Sequence, residues 1–239
     1  MNETKAPAMS DAFALPPTPS VPVQGEGGRF PVRRIFCVAR NYEAHAREMG
    51  GSVDRSAPYY FTKANWSICH SGTTIPYPPG TANCHYETEL VAAIGGSAFR
   101  IEKEDALSVV FGFACGFDLT RRDLQNASRD QGRPWDIGKD FDNAAVISAI
   151  TRVERFGAVS DQRIMMTMNG EVKQDGRLSD LIWSVPELIA DLSCYYHLAP
   201  GDLIFTGTPS GVGPIAPGDR LVGIIDGLEP LELAVGPAE

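Results

Sequence analysis

Three carboxylates in the first half of the chain have the types and the spacing of a metal site. Glu87 and Glu89 lie two apart in segment 86–94, which has the character of a β-strand. Residues two apart on a strand point to the same face, so the two carboxylates would converge beside an apolar run, where like charges repel each other. A divalent cation would remove that repulsion. The same spacing also fits the solvent-facing side of an amphipathic strand, and at this point both interpretations stay open.

Asp118 lies near the end of a second apolar segment, 111–119, whose bulky side chains fall on one face. The opposite face, which carries Asp118, is otherwise formed by small residues: Gly112, Ala114 and Gly116. This pattern predicts open space beside the carboxylate, as a metal and its ligand would need. Carboxylates are hard oxygen donors, which favour Mg²⁺ or Mn²⁺ over zinc, with Ca²⁺ as a further alternative. We therefore expect Glu87, Glu89 and Asp118 to hold a divalent metal.

His45 and Glu48 are three apart in a segment with helical character, so their side chains would share a face. The Glu48 carboxylate could hold the His45 imidazole in one tautomer and raise its basicity, which would leave the other ring nitrogen to activate water. A polar helix can also carry such a pair on its solvent-exposed surface, and the spacing is compatible with both.

Cationic and amide side chains that follow Asp118 would suit a small anion. Arg122 and Gln125 are three apart on a predicted helix, and together they would fit a carboxylate or a 1,2-dicarbonyl. Lys139 lies between acidic residues and could stabilise an enolate or form a salt bridge in a loop. Thr208 belongs to a glycine-rich turn that would let the backbone approach a ligand closely. A solvated helix face or a tight turn would explain the same features without a ligand.

The elements that would position these residues are short and mostly β. Strands are predicted at 34–39, 60–63, 86–94, 111–119, 203–206 and 221–225. A hairpin is predicted over 164–174, where Asn169-Gly170 favours a type I′ turn. Segment 73–79 is predicted as a turn-rich connection. No glycine-rich phosphate-binding motif follows any of these strands, which gives a nucleotide-binding fold no support.

Helices are fewer than strands. One is predicted to start from an Asn41 cap, run through Met49 and end at Gly50-Gly51; others are predicted at 104–109, 120–130 and 185–197. The last begins with a capping box formed by Ser184 and Glu187. We therefore predict one α+β catalytic domain over 30–239, preceded by a flexible Pro/Gly-rich leader over 1–29.

Composition limits the classes of partner. The net charge of −9, without a run of Lys or Arg, argues against nucleic acid and anionic membrane surfaces as partners. Five cysteines with no C-x-x-C spacing indicate buried reduced thiols and therefore a reducing compartment, the cytoplasm. An apolar leader typical of secretion and a run of about 18 apolar residues typical of a membrane span are both absent.

Five motifs in the same order resemble those of the fumarylacetoacetate hydrolase family. They are R-N-Y-x-x-H-x-x-E at 40–48, E-x-E-L at 87–90, D-x-T-x-R-D-x-Q at 118–125, K-x-F-D at 139–142 and T-G-T-P-x-G-V at 206–212. The resemblance covers residues 30–236. Within the family the chain looks most similar to the bacterial fumarylpyruvate and acylpyruvate hydrolases, which also have a P-W-x-x-G-K-x-F-D loop.

The resemblance implies a mixed β-roll with flanking short helices, assembled as a homodimer. It assigns the metal to Glu87, Glu89 and Asp118, water activation to His45 and Glu48, and enolate stabilisation to Lys139. The residues implied to contact substrate are Arg122, Gln125 and Thr208, with Lys63 as a further candidate. The chain departs from the family at Ala39, where glycine is common, and after Lys63, where proline is common; the second departure bears on the role of Lys63.

The activity implied is hydrolysis of the C3–C4 bond of a small anionic 2,4-dioxo acid, with fumarylpyruvate giving fumarate and pyruvate. One alternative keeps the scaffold and changes the chemistry to oxaloacetate decarboxylation or to another decarboxylation or isomerisation of a 2-oxo acid. The other is a non-catalytic protein that binds a 2-oxo acid. The presence of both His45 and Glu48 argues against mere binding, which needs neither residue.

Overall fold

The computed structural model describes residues 13–50 and 55–238, in which strands outnumber helices. The strands are β1 Ser20–Pro22, β2 Arg29–Pro31, β3 Arg34–Ala39, β4 Tyr59–Lys63, β5 Ile68–His70, β6 Thr73–Tyr77, β7 Cys84–Tyr86, β8 Thr88–Ile94, β9 Val110–Asp118, β10 Thr120–Arg121, β11 Ala145–Ile147, β12 Thr151–Arg152, β13 Arg163–Met168, β14 Glu171–Arg177, β15 Asp202–Phe205, β16 Gly213–Pro214, β17 Arg220–Ile225 and β18 Leu231–Ala238. The α-helices are α1 Glu43–Glu48, α2 Arg122–Asp130, α3 Asp136–Lys139, α4 Val153–Phe156 and α5 Val185–Tyr195. Three 3₁₀ segments lie at Asn65–Ser67, Lys103–Val109 and Leu178–Asp180.

The largest sheet is mixed and has the strand order β4-β3-β15-β8-β9-β11-β5, with β12 also paired to β9. Strand β15 runs parallel to β3 and antiparallel to β8. A second sheet, β14-β13-β17-β18-β6, lies against it. The contact is close because Gly223 of β17 has no side chain: a Cβ there would lie 3.0 Å from the Cys115 Sγ and from the Phe117 ring of β9. The larger apolar core contains residues of both sheets, including Leu90, Ile164 and Leu221.

The other face of the large sheet is covered by the N-terminal part of the described chain. Strands β1 and β2 pair antiparallel, and Val21 is completely buried beside Phe205 in a second apolar cluster. Val21, which falls within the predicted leader, therefore packs against the large sheet and gains from burial as the residues of that sheet do. Residues 1–12 of the predicted leader lie outside the described residues, and the division into leader and catalytic domain stays a prediction.

Several predicted elements match the structure. Segment 34–39 is β3, and the hairpin turns at Asn169 and Gly170 with φ of 54° and 85°, the positive values that a type I′ turn requires. Helix α5 begins at the predicted capping box, where the Ser184 hydroxyl and N–H donate to Glu187. Segment 104–109 is a 3₁₀ helix, and the first two residues of the predicted 120–130 helix form β10.

Other predictions were wrong, and tertiary contacts explain each. Segment 73–79 contains strand β6, which pairs parallel with β18 and buries Ile75. The N-cap of α1 is Tyr42, since the Asn41 side chain binds elsewhere; Gly51 lies outside the described residues. The predicted strand 86–94 is two strands, β7 and β8, which separate at Glu87 and belong to different sheets.

The space predicted beside Asp118 is not open along the strand. A Cβ at Gly112 would lie 2.3 Å from the Thr151 carbonyl oxygen, and one at Gly116 would lie 2.6 Å from the Phe205 ring. The small residues of this face therefore admit neighbouring backbone and aromatic groups, and they leave no room for a ligand.

The described cysteines are all free thiols, four of them buried and Cys194 exposed, so the expectation of burial was wrong at that position. Cys194 is on an outer turn of α5, where its neighbours Tyr195 and Tyr196 are also exposed. Among the described residues, none of the helices has the length and apolar character needed to cross a membrane.

Candidate active site

Three buried carboxylates converge where β7, β8 and β9 meet. Glu87 lies in the break between β7 and β8, Glu89 is the second residue of β8, and Asp118 ends β9. One oxygen from each lies within 4.8 Å of the others, and the residues are only 5%, 2% and 1% exposed. The antiparallel pairing of β8 with β9 causes this convergence, and the Asp118 N–H donates to the Glu87 carbonyl at 2.9 Å.

Buried cations surround two of these carboxylates. The Lys139 Nζ donates to Glu87 Oε2, Asp118 Oδ2 and Thr120 Oγ1, each at 2.7 Å. Lys63 Nζ lies 2.8 Å from Asp118 Oδ1, and Arg122 donates to Glu87 Oε1. Three buried cations thus face three buried carboxylates, which makes the cluster close to neutral when every group is ionised.

Glu89 is the carboxylate that this arrangement serves least. Among the described residues, the Glu89 side chain accepts one hydrogen bond, from the Gly207 N–H to Oε2 at 2.8 Å. Burial, together with the nearby charges of Asp118 and Glu87, raises the pKa of Glu89 well above its usual range. Burial also disfavours ionised Glu87, but Lys139 and Arg122 outweigh it and lower the Glu87 pKa. Ionised Glu89 has no cationic side chain as a partner among those described above; a divalent cation would supply one and relieve the repulsion, so this oxygen donor set fits such a metal.

A histidine–carboxylate pair lies on α1. His45 is 5% exposed, and its Nδ1 is 3.1 Å from Glu48 Oε2. The other Glu48 oxygen accepts from the Gly211 N–H at 3.0 Å, so the glycine-rich turn fixes the carboxylate that orients the imidazole. With Nδ1 engaged, Nε2 is the nitrogen available for proton transfer.

Asn41 anchors the chain just before this helix, a role that sequence reasoning missed. It is fully buried; its Nδ2 donates to the Thr206 carbonyl at 2.7 Å and to the Trp183 carbonyl at 2.9 Å, and its Oδ1 accepts from the Trp183 N–H at 2.7 Å. The asparagine thus joins three segments that are remote in sequence. An asparagine before a helix is typical of an N-cap, which is why its local position was misleading.

One cavity collects most of the predicted site residues. Its lining includes seven predicted residues: His45, Glu87, Glu89, Arg122, Gln125, Lys139 and Thr208. The cavity lining does not include Asp118, Glu48 or Lys63. Asp118 contacts Lys139 and Glu48 contacts His45, both of which line the cavity, and Lys63 contacts Asp118. Lys63 was predicted to bind substrate, yet the structure places it against Asp118 because its aliphatic stem enters from the edge strand β4.

The predicted substrate contacts are held by other side chains. Arg122 Nη1 donates to Gln125 Oε1 at 2.5 Å, and Thr208 Oγ1 accepts from Gln174 Nε2 at 2.8 Å. Gln174, 1% exposed on β14, also accepts from the Thr88 N–H at 3.1 Å, so it links the second sheet to the carboxylates. Sequence reasoning missed Gln174 because nothing in a hairpin strand marks one polar residue as buried.

Sequence reasoning also missed the outer wall of the cavity. Arg40 and Trp135 line it, and Phe61 closes one side. Arg40 and Trp135 do lie within motifs that were noted, R-N-Y and P-W-x-x-G-K, so the motifs indicated their neighbourhood but not their role.

Comparison with known proteins gives a consistent result. Residues 34–235 match the family model described as fumarylacetoacetate (FAA) hydrolase C-terminal. A fumarylpyruvate hydrolase of Ralstonia sp. is 50% identical over 194 residues, which is 80% of this chain and all of that protein. An oxaloacetate tautomerase of Escherichia coli is 34% identical over 199 residues, 83% of this chain and 90% of the relative.

A solved structure agrees with these relatives. The crystal structure of fumarylpyruvate hydrolase from Pseudomonas aeruginosa, in complex with Mn²⁺ and pyruvate, superimposes with a TM-score of 0.92 at 44% identity. The match covers 95% of this chain and all of that one. The predicted α+β fold, a mixed β-roll with short flanking helices, is therefore confirmed, as is the resemblance read from the five motifs. The chain belongs to the fumarylacetoacetate hydrolase family.

Proposed function

We propose that this chain is a metal-dependent hydrolase that cleaves the C3–C4 bond of an acylpyruvate, with fumarylpyruvate giving fumarate and pyruvate. The observation that carries the proposal is that one cavity joins the carboxylate cluster to the His45–Glu48 pair. Two similar fumarylpyruvate hydrolases, one of them solved with Mn²⁺ and pyruvate, support the same activity.

Glu87, Glu89 and Asp118 would hold the metal, and Mg²⁺ is our first choice, with Mn²⁺ and Ca²⁺ as alternatives. When bound, the ion would supply Lewis-acid polarisation of the 2-oxo group. The protein side chains would do the rest. Arg122 and Gln125 would bind the carboxylate of the pyruvoyl half, and Thr208, fixed by Gln174, would orient it.

His45 would act as the general base. Its Nε2 would take a proton from water, while Glu48 on Nδ1 stabilises the imidazolium that forms. The resulting hydroxide would add to C4, and collapse of the adduct would break the C3–C4 bond. The electron pair would pass to the pyruvate half as an enolate, and the His45 imidazolium would give its proton to C3, which regenerates the base and releases the acyl half as a carboxylic acid that ionises in water.

Lys139 would stabilise that enolate through its charge. Its three N–H donors already meet Glu87, Asp118 and Thr120, so the ammonium has no proton left for a direct hydrogen bond in this arrangement. Asp118 and Glu87 outweigh the effect of burial and raise the pKa of Lys139, so the positive charge is present at neutral pH.

Purified protein stripped with EDTA tests the proposal. Restoring Mg²⁺, Mn²⁺ or Ca²⁺ should restore release of pyruvate from fumarylpyruvate and acetylpyruvate, measured with a coupled lactate dehydrogenase assay. A Glu87→Ala variant that stays fully active in the absence of added metal would contradict it.

Oxaloacetate chemistry is the second candidate, because several relatives at 34–36% identity are named oxaloacetate tautomerases. Tautomerisation and decarboxylation both need an enolate but no attacking water. His45→Ala should lower acylpyruvate hydrolysis by about 10²- to 10⁴-fold, the usual contribution of a general base, and largely spare oxaloacetate decarboxylation. Equal loss of both activities would count against our assignment of His45.

The proposal also covers the oligomeric state and the cellular location of the protein. We propose a homodimer that works in the cytoplasm on a small anionic substrate, with neither nucleic acid nor membrane as a partner. Light scattering of the purified protein at several concentrations measures the first of these.

A further inference from the structure

A second cavity opens beside the catalytic one. The space within it that a water molecule can occupy is about 210 Å³. Its walls are aromatic and apolar apart from one arginine: Ala39, Arg40, Ala57, Pro58, Tyr59, Trp135 and Trp183. Ala39, Arg40 and Trp135 line both cavities, so the two spaces meet at these residues.

Arg40 has two unusual properties. Its φ is +57°, a left-handed conformation that is uncommon for a residue with a side chain. Across residues 13–50 and 55–238 its guanidinium also makes no hydrogen bond and no ion pair. Neighbouring arginines are engaged: Arg122 with Glu87, Arg129 with Asp130 and Arg55 with Glu187. A strained backbone at the junction of two cavities is the kind of feature that clusters at ligand sites.

We propose that the second cavity holds the acyl half of the substrate and that Arg40 binds a carboxylate at the far end of that half. Trp135 and Trp183 would form the walls against a flat, conjugated carbon chain. This inference rests on the proposed function and deepens it, since it selects a dicarboxylate acylpyruvate over acetylpyruvate.

The direction of the acyl group follows from charge. A third cavity also touches Trp135, on the side of Phe61, but Asp136 lines it and would repel a carboxylate. Lys139 lines it too, although its donors are taken by the carboxylate cluster. Of the second and third cavities, the one lined by Arg40 therefore offers a second carboxylate a cation without a partner among the described residues.

Steady-state kinetics of the Mg²⁺-loaded enzyme test the inference. Arg40→Gln should lower the ratio of kcat/KM for fumarylpyruvate over that for acetylpyruvate by about 10- to 100-fold, the range expected for one charge-assisted contact, chiefly through KM. Arg100→Gln is the matched control, because Arg100 is exposed and also has a left-handed φ, +53°, but lies against Phe99 outside both cavities. That control should leave the ratio unchanged.

An unchanged ratio in Arg40→Gln would overturn the inference. The inference would also be overturned if the ratio fell in Arg129→Gln or Arg55→Gln but not in Arg40→Gln, since another arginine would then bind the carboxylate.

Ligand binding separates this inference from the proposed function. Trp135 and Trp183 line the subsite, so quenching of tryptophan fluorescence can follow the binding of fumarate, with crotonate as the analogue that lacks the second carboxylate. Wild type should prefer fumarate, and Arg40→Gln should lose that preference. If wild type shows the preference but hydrolyses neither acylpyruvate, the proposed function fails and the subsite stands; if it hydrolyses both and binds fumarate no better than crotonate, the subsite fails alone.

Discussion

Two regions of this molecule bury carboxylates among cations, and they do so in different ways. At one end of the large sheet, Asp202 is completely buried and accepts from Arg33, from both Nε and Nη2 of Arg34, and from the Ala199 N–H. Strand β15 pairs in register with β3, which sets Asp202 opposite Arg34. One carboxylate therefore has two guanidinium partners, which are partly exposed at the surface.

At the carboxylate cluster of the candidate active site, the number of cations for each carboxylate is smaller. Three carboxylates share three cations, Glu89 receives one backbone hydrogen bond from Gly207, and the group opens into a cavity. The comparison shows how a buried carboxylate that stabilises the fold differs from one that takes part in a binding site. A carboxylate with all its partners stabilises the fold, whereas a carboxylate crowded by like charge beside a cavity needs a ligand to complete it.

Glu89→Gln should give the largest effect and affect activity alone. Loss of one ligand charge should reduce kcat by about 10³-fold or more, the scale of a lost electrostatic contribution at a reacting centre. The melting temperature without metal should not fall, because burial and the charges of Asp118 and Glu87 already favour the uncharged form of Glu89. The rise in melting temperature on adding Mg²⁺ should disappear. A metal-free variant that melts far below wild type would break the comparison.

Asp202→Asn should do the reverse. The variant removes the charge that two guanidinium groups share, but water reaches both of them, so we expect a loss of about 2 kcal/mol in the free energy of unfolding, the scale of charge-assisted hydrogen bonds. Urea denaturation measures the loss, and kcat at a temperature where the variant is folded should stay within about twofold of wild type, since no side chain of the site changes.

The matched control for Asp202→Asn is Asp219→Asn. Asp219 ends a Pro-Gly-Asp turn, as Asp202 does, and accepts from the Ala216 N–H at 2.7 Å and from the Asn169 amide; among the described residues no arginine forms an ion pair with it. Its loss should be about 1 kcal/mol, the scale of a neutral hydrogen bond. Equal losses at the two aspartates would show that the arginines contribute nothing.

Glu187→Gln should have the smallest effect and depend on pH. Burial tends to raise the pKa of Glu187, but the Ser184 hydroxyl and N–H and the Lys103 ammonium outweigh it and lower the pKa to about 2. Since this folded value is below the ordinary value of 4.5, the stabilisation is present above pH 4.5 and is lost as the pH falls towards 2. The variant should lose about 1 kcal/mol at pH 7, as for other helix caps, and melt with a weaker pH dependence between pH 5 and 2. If the melting temperature of the variant depended on pH as steeply as that of wild type between pH 5 and 2, Glu187 would not be the source of this pH dependence.

Local chemistry made part of the fold predictable. The apolar run of β3, the Asn169-Gly170 turn and the Ser184–Glu187 capping box each depend on residues close in sequence. Strand β6 could not be predicted in this way, because its partner β18 is about 160 residues further along the chain.

The sequence predicted which residues the structure brings together at the candidate site, but not the contacts that bring them there. Glu87 and Glu89 do converge, yet Glu87 is outside the strand that was supposed to align them. The small face beside Asp118 signalled close packing by Phe205, which no local pattern reveals. Asn41 binds Thr206, 165 residues away, and Gln174 binds Thr88 and Thr208, 86 and 34 residues away, so their roles required the folded chain.

The pairing of β8 with β9 has a consequence for how proteins of this kind can change. A one-residue insertion or deletion in either strand would turn Glu89 to the opposite face and separate it from Asp118. The segment that carries the carboxylate cluster should therefore accept substitutions but reject changes of length. The loops around Arg40 and Trp135 carry no such constraint, so new substrate preferences should arise there first, on an unchanged catalytic frame.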